Sequence, residues 1–255
     1  MNSEKISDSG PFYYKGNELG ILLLHGGGGG TAVDLRPIAE DLNKKSGFTT
    51  KVPLLPGFGT SPKELREIQI SNWLETIITE FKSLKETCHQ IIVGGHSMGG
   101  ILALILASEV SVDGLFSIAA PIAIKGFLPK LVPLLSLFIK YHSIESDKLR
   151  EETNYEWTGY DEIPLNIVPK IKKLINIMKS RLNKIDCPVM LFQGRSDDQI
   201  IKSSMDYIFE HINSKIKQKI WLENNQHPIL RCPDHDIIIN QLSNFISKNI
   251  WNKKI

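Results

Sequence analysis

Ile91-Ile92-Val93-Gly94-Gly95-His96-Ser97-Met98-Gly99-Gly100-Ile101-Leu102-Ala103-Leu104-Ile105-Leu106 reads in one sweep as a buried strand, a sharp turn and a helix. The centre is a Gly-x-Ser-x-Gly pattern, Gly95 to Gly99. In such a pattern the serine occupies a strained strand-to-helix turn, and side chains at the flanking positions would collide with it. The Ser97 hydroxyl is therefore expected to stand exposed at a helix N-terminus, where backbone N–H groups and the helix dipole favour negative charge. A pentapeptide of this kind also suits a plain packing turn, so its context has to decide.

Upstream, Ile21-Leu22-Leu23-Leu24-His25 reads as a short buried strand that runs into Gly26-Gly27-Gly28-Gly29-Gly30. Glycine lets a backbone approach a ligand closely and turn its N–H groups inward, as an oxyanion hole demands. Phosphate cradles fit worse. Thr31-Ala32-Val33 follows in place of a Gly-Lys-Ser/Thr, and the third glycine of a dinucleotide fingerprint is missing.

A nucleophilic serine needs a base and an acid that orients it, and on an elbow of this type they follow in the order Ser, Asp/Glu, His. Pro188-Val189-Met190-Leu191-Phe192-Gln193 reads as a buried strand, and Gly194-Arg195-Ser196-Asp197-Asp198 turns out of its carboxyl end. Lys219-Ile220-Trp221-Leu222 reads as the next strand, leading to Glu223-Asn224-Asn225-Gln226-His227-Pro228. Asp197 is the expected acid and His227 the expected base, with Asp198 and His235 as their rivals. His25 is expected to hold the glycine loop by hydrogen bonding and His96 to fill the variable position of the turn, while His89, His142 and His211 lie in surface-like stretches. His235 reads as a solvated residue in the first turn of the last helix. No metal is expected, since the histidines and carboxylates show no ligand spacing and Cys88, Cys187 and Cys232 are scattered.

Apolar strands near 21–25, 49–54, 91–95, 114–119, 188–193 and 218–222 alternate with amphipathic segments near 33–46, 70–87, 98–109, 202–213 and 234–250. This alternation implies an α/β chain with a mostly parallel sheet covered by helices on both faces. The interval 122–185 breaks the rhythm with helical spacing and no convincing strand, which predicts a helical cap set into a core of 1–121 and 186–255. Within it Leu128, Leu131, Val132, Leu135, Phe138 and Ile139 form one apolar face, and Ile167, Ile171, Leu174, Ile175, Met178 and Leu182 another. Lys170, Lys172, Lys173, Lys179, Arg181 and Lys184 accompany the second face. A solvated face is the simpler reading of such a charge run, and transient contact with an anionic membrane surface the sharper one.

At 255 residues with a net charge of +2, the chain can bury a large core and has no general affinity for nucleic acid. Three cysteines, odd in number and set in core-like segments, suit reduced thiols, and Met1-Asn2-Ser3-Glu4-Lys5 leads into no apolar signal core. A cytoplasmic address is expected.

The chain resembles α/β-hydrolase-fold serine esterases, and most closely the bacterial carboxylesterases and monoacylglycerol lipases. The likeness is carried by Leu22-Leu23-Leu24-His25-Gly26, Pro53-Leu54-Leu55-Pro56-Gly57-Phe58-Gly59, Trp73 and Gly95-His96-Ser97-Met98-Gly99-Gly100. Ala119-Ala120-Pro121, Gln193-Gly194-Arg195-Ser196-Asp197 and Gln226-His227 complete it, in the expected order along nearly the whole chain. It implies a triad of Ser97, Asp197 and His227 and an oxyanion hole from the N–H groups of Gly27 and Met98. It further implies hydrolysis of short- to medium-chain carboxylic esters, with no cofactor. Gly27 departs from the many relatives that carry a bulky side chain there, which implies a roomier pocket. An acyl-thioesterase or acyltransferase on the same triad, and a non-catalytic binding protein on the same fold, are the alternatives.

Overall fold

Leu19, Ile21 and Leu23 pack into one hydrophobic cluster and Leu22 and Leu24 into another, so a single strand feeds the cores on both faces of a sheet. The computed structural model describes residues 6–124 and 139–251. Its strands are β1 (Phe12–Tyr14), β2 (Leu19–Leu24), β3 (Thr49–Val52), β4 (Gln90–His96), β5 (Gly114–Ile118), β6 (Tyr141–Ser143), β7 (Glu162–Pro164), β8 (Val189–Gly194) and β9 (Lys217–Leu222). All but β6 and β7 form one sheet in the order β1-β3-β2-β4-β5-β8-β9. Only β1 runs antiparallel to its neighbour.

The described helices are α1 (Arg36–Ser46), α2 (Pro62–Glu67), α3 (Ile70–Lys85), α4 (Met98–Glu109), α5 (Ser146–Glu152), α6 (Ile167–Lys179), α7 (Ser203–His211) and α8 (His235–Asn249). Side chains of α3, α4, α6 and α7 build the core on one face of the sheet, and those of α1 and α8 build it on the other. A parallel sheet needs this double cover because its strands are apolar on both sides. Helix α4 is buried from Met98 through Ala107, in keeping with its apolar run. Each fully buried Leu or Ile there contributes about 2 kcal/mol of transfer free energy.

The interval 122–185 differs from the expectation of a strand-free cap. Tyr141–Ser143 and Glu162–Pro164 pair as a two-stranded antiparallel ribbon that brackets α5. Three residues per strand are too few to show a period of two, and the pairing is non-local, so no pattern marked it. Leu128, Leu131, Val132, Leu135 and Phe138 of the first apolar face lie outside the described residues, and Ile139 is exposed. The second face holds: Leu174, Ile175, Met178 and Leu182 join the main core.

The cations beside that face are drawn inward in part. Lys170 Nζ donates to the carbonyls of Leu65 (3.3 Å) and Arg66 (2.9 Å), Lys179 lies over the Tyr207 ring, and Arg181 pairs with Glu109. These contacts dock α6 on its neighbours.

Candidate active site

Strands β2, β4, β8 and β9 all release their loops at the carboxyl edge of the sheet. Chain order reverses direction at β2, since β3 lies on one side of it and β4 on the other. A crevice at such a switch point is where open α/β sheets hold ligands. The glycine run leaves β2 here, and the turn carrying Ser97 leaves β4.

Ser97 is held at φ 55° and ψ −120°, outside the relaxed regions, at a cost of about 1–3 kcal/mol. Its amide donates to the Ile118 carbonyl at 2.9 Å, which ties the turn to β5. The flanking glycines are sterically required. A Cβ on Gly99 would sit 1.8 Å from the Leu24 carbonyl oxygen, and one on Gly95 would sit 2.4 Å from the Gly99 backbone.

The structure brings Ser97, His227 and Asp197 into one hydrogen-bonded line. His227 Nε2 lies 3.1 Å from Ser97 Oγ, and Nδ1 lies 2.9 Å from Asp197 Oδ2. The carboxylate accepts the Nδ1 proton, which leaves Nε2 free to accept from the serine. Asp197 Oδ1 accepts two further bonds, from the amides of Gln199 and Ile200 at 2.9 Å each. Burial raises the pKa of Asp197, but the His227 hydrogen bond and charge and these two amides outweigh it and hold the carboxyl below the usual range. Asp198 is exposed and contributes to the wall of the adjoining cavity.

Three other histidines have structural partners. His25 accepts from the Leu55 amide at Nε2 (3.0 Å), so its Nδ1–H donates to the Gly26 carbonyl (2.9 Å), and burial lowers its pKa to about 4. His96 does more than fill a variable position. Its buried ring donates from Nε2 to the His227 carbonyl (2.9 Å) and lies 4.9 Å from the His227 ring. Burial, then the neighbouring His227, lowers its pKa to about 3, so His96 is a neutral brace for the loop that carries the base. His235, expected to be solvated, instead binds Asp41 of α1 at 2.9 Å and is half-buried. His142 reaches the cavity wall from β6, while His89 and His211 are exposed.

The glycine loop is clamped from above. The Tyr160 amide donates to the Gly29 carbonyl (3.1 Å), and Thr158 and Thr31 share a hydrogen bond between hydroxyls (2.6 Å). The Tyr160 hydroxyl donates to the Gly57 carbonyl (2.6 Å) and accepts from the Thr60 amide (2.9 Å). Tyr160→Phe leaves the Thr60 amide without this partner and the Gly57 carbonyl with only the Thr60 hydroxyl at 3.2 Å. The expected loss is about 2 kcal/mol, a melting temperature lower by roughly 4–8 °C in scanning calorimetry. An unchanged melting temperature would show that the clamp contributes nothing.

Gly27 adjoins Met98: a Cβ on Gly27 would lie 2.7 Å from Met98 Sδ. The space that a larger residue at 27 would take is thus partly filled by the methionine. Above these residues lies a cavity of about 740 Å³ that reaches Ser97 and His227. Leu149, Trp157, Ile163, Ile167, Val168 and Ile171, all from the 122–185 interval, supply much of its apolar wall.

A mostly parallel sheet with this elbow, and with a histidine and an aspartate delivered by its last two strands, is the arrangement of the α/β-hydrolase fold. Residues 21–141 match the family model for the alpha/beta hydrolase fold. The chain is 28% identical to a carboxylesterase of Bacillus subtilis (strain 168), covering 97% of this chain and all of that one. It is 29% identical to a thermostable monoacylglycerol lipase of Bacillus sp. (strain H-257), covering 96% of each. A solved structure from a study of two metagenome-derived lipolytic enzymes superposes with a TM-score of 0.86 at 23% identity, covering 96% of this chain and 100% of that one. The chain has the alpha/beta hydrolase fold, and the relatives to which it is similar are an esterase and lipases.

Proposed function

We propose that the chain hydrolyses carboxylic esters of short- to medium-chain acyl groups, monoacylglycerols among them, by two-step acyl transfer at Ser97. The observation that carries this reading is the line from Ser97 Oγ through His227 to Asp197, at 3.1 and 2.9 Å. His227 takes the Ser97 proton as the hydroxyl attacks the ester carbonyl, and Asp197 stabilises the imidazolium that forms. The N–H groups of Gly27 and Met98 hold the oxyanion. Collapse of the tetrahedral adduct expels the alcohol, which leaves with the proton from His227. Water then repeats the sequence on the acyl-enzyme and releases the acid. No step calls for a metal or an organic cofactor.

The interval 122–185 acts as the cap over the 1–121 and 186–255 core, and its apolar wall favours an acyl chain. Each buried methylene is worth about 0.8 kcal/mol, so kcat/KM should climb about fourfold per added carbon until the slot is full. A series of p-nitrophenyl esters from acetate to laurate, run beside monoacylglycerols and acyl-thioesters, tests this. A steady fall from acetate upward would remove the cap as an acyl slot, and a thioester as best substrate would make the chain a thioesterase. Lys170, Lys179 and Arg181 already serve contacts within the fold, which favours a structural role for the basic stripe over membrane contact.

A further inference from the structure

Asp34 lines the same cavity as Ser97, and the acyl-transfer sequence has no task for it. It belongs to the 3-10 turn Ala32–Leu35 that follows the glycine run. Its carboxyl folds back over that run: a Cβ on Gly30 would lie 2.2 Å from Asp34 Oδ2 and 3.1 Å from Oδ1. The glycine at 30 thus makes room for the carboxyl. Oδ1 is fully enclosed and accepts no hydrogen bond from the described residues. Among those residues no Lys or Arg lines the cavity; its other ionisable groups are His96, His142, Asp198 and His227. Burial pushes the Asp34 carboxyl up to about 7. An enclosed acceptor without a donor is a net cost to the fold, and an apolar side chain would fill the same space without it.

We propose that Asp34, which lines the cavity, is a specificity-determining residue whose carboxyl accepts a hydrogen bond from a hydroxyl of the substrate, so that the site selects esters bearing a free hydroxyl group. This assignment rests on ester hydrolysis at Ser97. The cavity wall is mainly apolar, with Thr153, His142, Asp198 and Gln199 among its polar exceptions, and Asp34 adds a carboxyl with no donor of its own at Oδ1 among the described residues. A site built to pair a substrate hydroxyl rejects the analogue that lacks it, because its own polar group is then left alone. The hydroxyl can sit on the alcohol side, as in a monoacylated polyol, or on the acyl side, as in a hydroxy acid.

Steady-state kinetics on two matched pairs separate these sources: 1-monooctanoylglycerol against propyl octanoate, and propyl 8-hydroxyoctanoate against propyl octanoate. The wild-type protein should prefer the hydroxylated member of at least one pair by tenfold or more in kcat/KM, and the responding pair identifies the side. Asp34→Leu should reduce that preference to within about twofold, because kcat/KM falls further on the hydroxylated ester than on propyl octanoate. Asp34→Asn, isosteric and therefore safe for folding, keeps a weaker acceptor and should reduce the preference at least threefold. No preference in the wild type, an unaltered preference in both variants, or an equal fall on all three esters would overturn the role of Asp34 alone. Failure of the wild-type protein to turn over propyl octanoate would overturn the ester reading and this assignment with it.

Discussion

Ser97→Ala should lose five to six orders of magnitude in ester kcat, the scale seen when a triad nucleophile is removed, with circular dichroism and melting temperature close to wild type. The hydroxyl is the atom that bonds to the acyl carbon, and no other hydroxyl accompanies His227 Nε2 in the described site. Folding should survive because the turn is fixed by the Ser97 amide and by the glycines around it, and the side-chain hydroxyl plays no part in either. A fluorophosphonate should label Ser97 alone, as read by peptide mass spectrometry. Full activity in the variant, or label on another residue, would move the nucleophile elsewhere.

Asp197→Asn should lower kcat about 10⁴-fold, because an amide can no longer hold the imidazole in the tautomer that presents Nε2 to the serine. Asp198→Asn should stay near wild type, since Asp198 is exposed and Asp197 is the carboxylate bonded to His227. His227→Ala should be nearly inactive. His235→Ala should keep its turnover and lose only the contact with Asp41. Equal losses at 197 and 198, or an inverted pattern, would shift the acid by one residue. The pH dependence has a definite sign. With its pKa lowered, Asp197 stabilises the fold above the ordinary carboxyl pKa of about 3.9, and this contribution fades as pH falls through its folded value. Loss of turnover above pH 5 therefore belongs to another group.

The central strands were readable because each is a continuous apolar run of strand length, and the turn after β4 because steric need leaves only glycine at 95 and 99. Strands β1, β6 and β7 were not readable: each has three residues, and each is made by a partner far away in sequence. Helix α2 did carry a signal, for Ser61 caps it through the Glu64 amide and Pro62 opens it. The candidate triad could be placed because Ser97, Asp197 and His227 each follow a recognisable strand. The register of Asp197 against Asp198 depends on the Gln199 and Ile200 amides, which periodicity does not encode. His96 and Tyr160 gain their partners only when distant loops meet, so nothing local marks them. His96 in particular acts through the backbone of His227, a contact that no spacing rule describes.

The bonds from Thr158 and Tyr160 to the glycine run mean that the wall of the cavity and the ceiling of the reaction centre are one piece. A guest that wedges 157–160 outward would also drag on Gly29 and Thr31, and with them on the loop that includes Gly27. Such a guest could be admitted and still not be cut. Oversized esters should then behave as slow occupants that spoil turnover more than affinity, so discrimination by size would be enforced at the chemical step and not at the door.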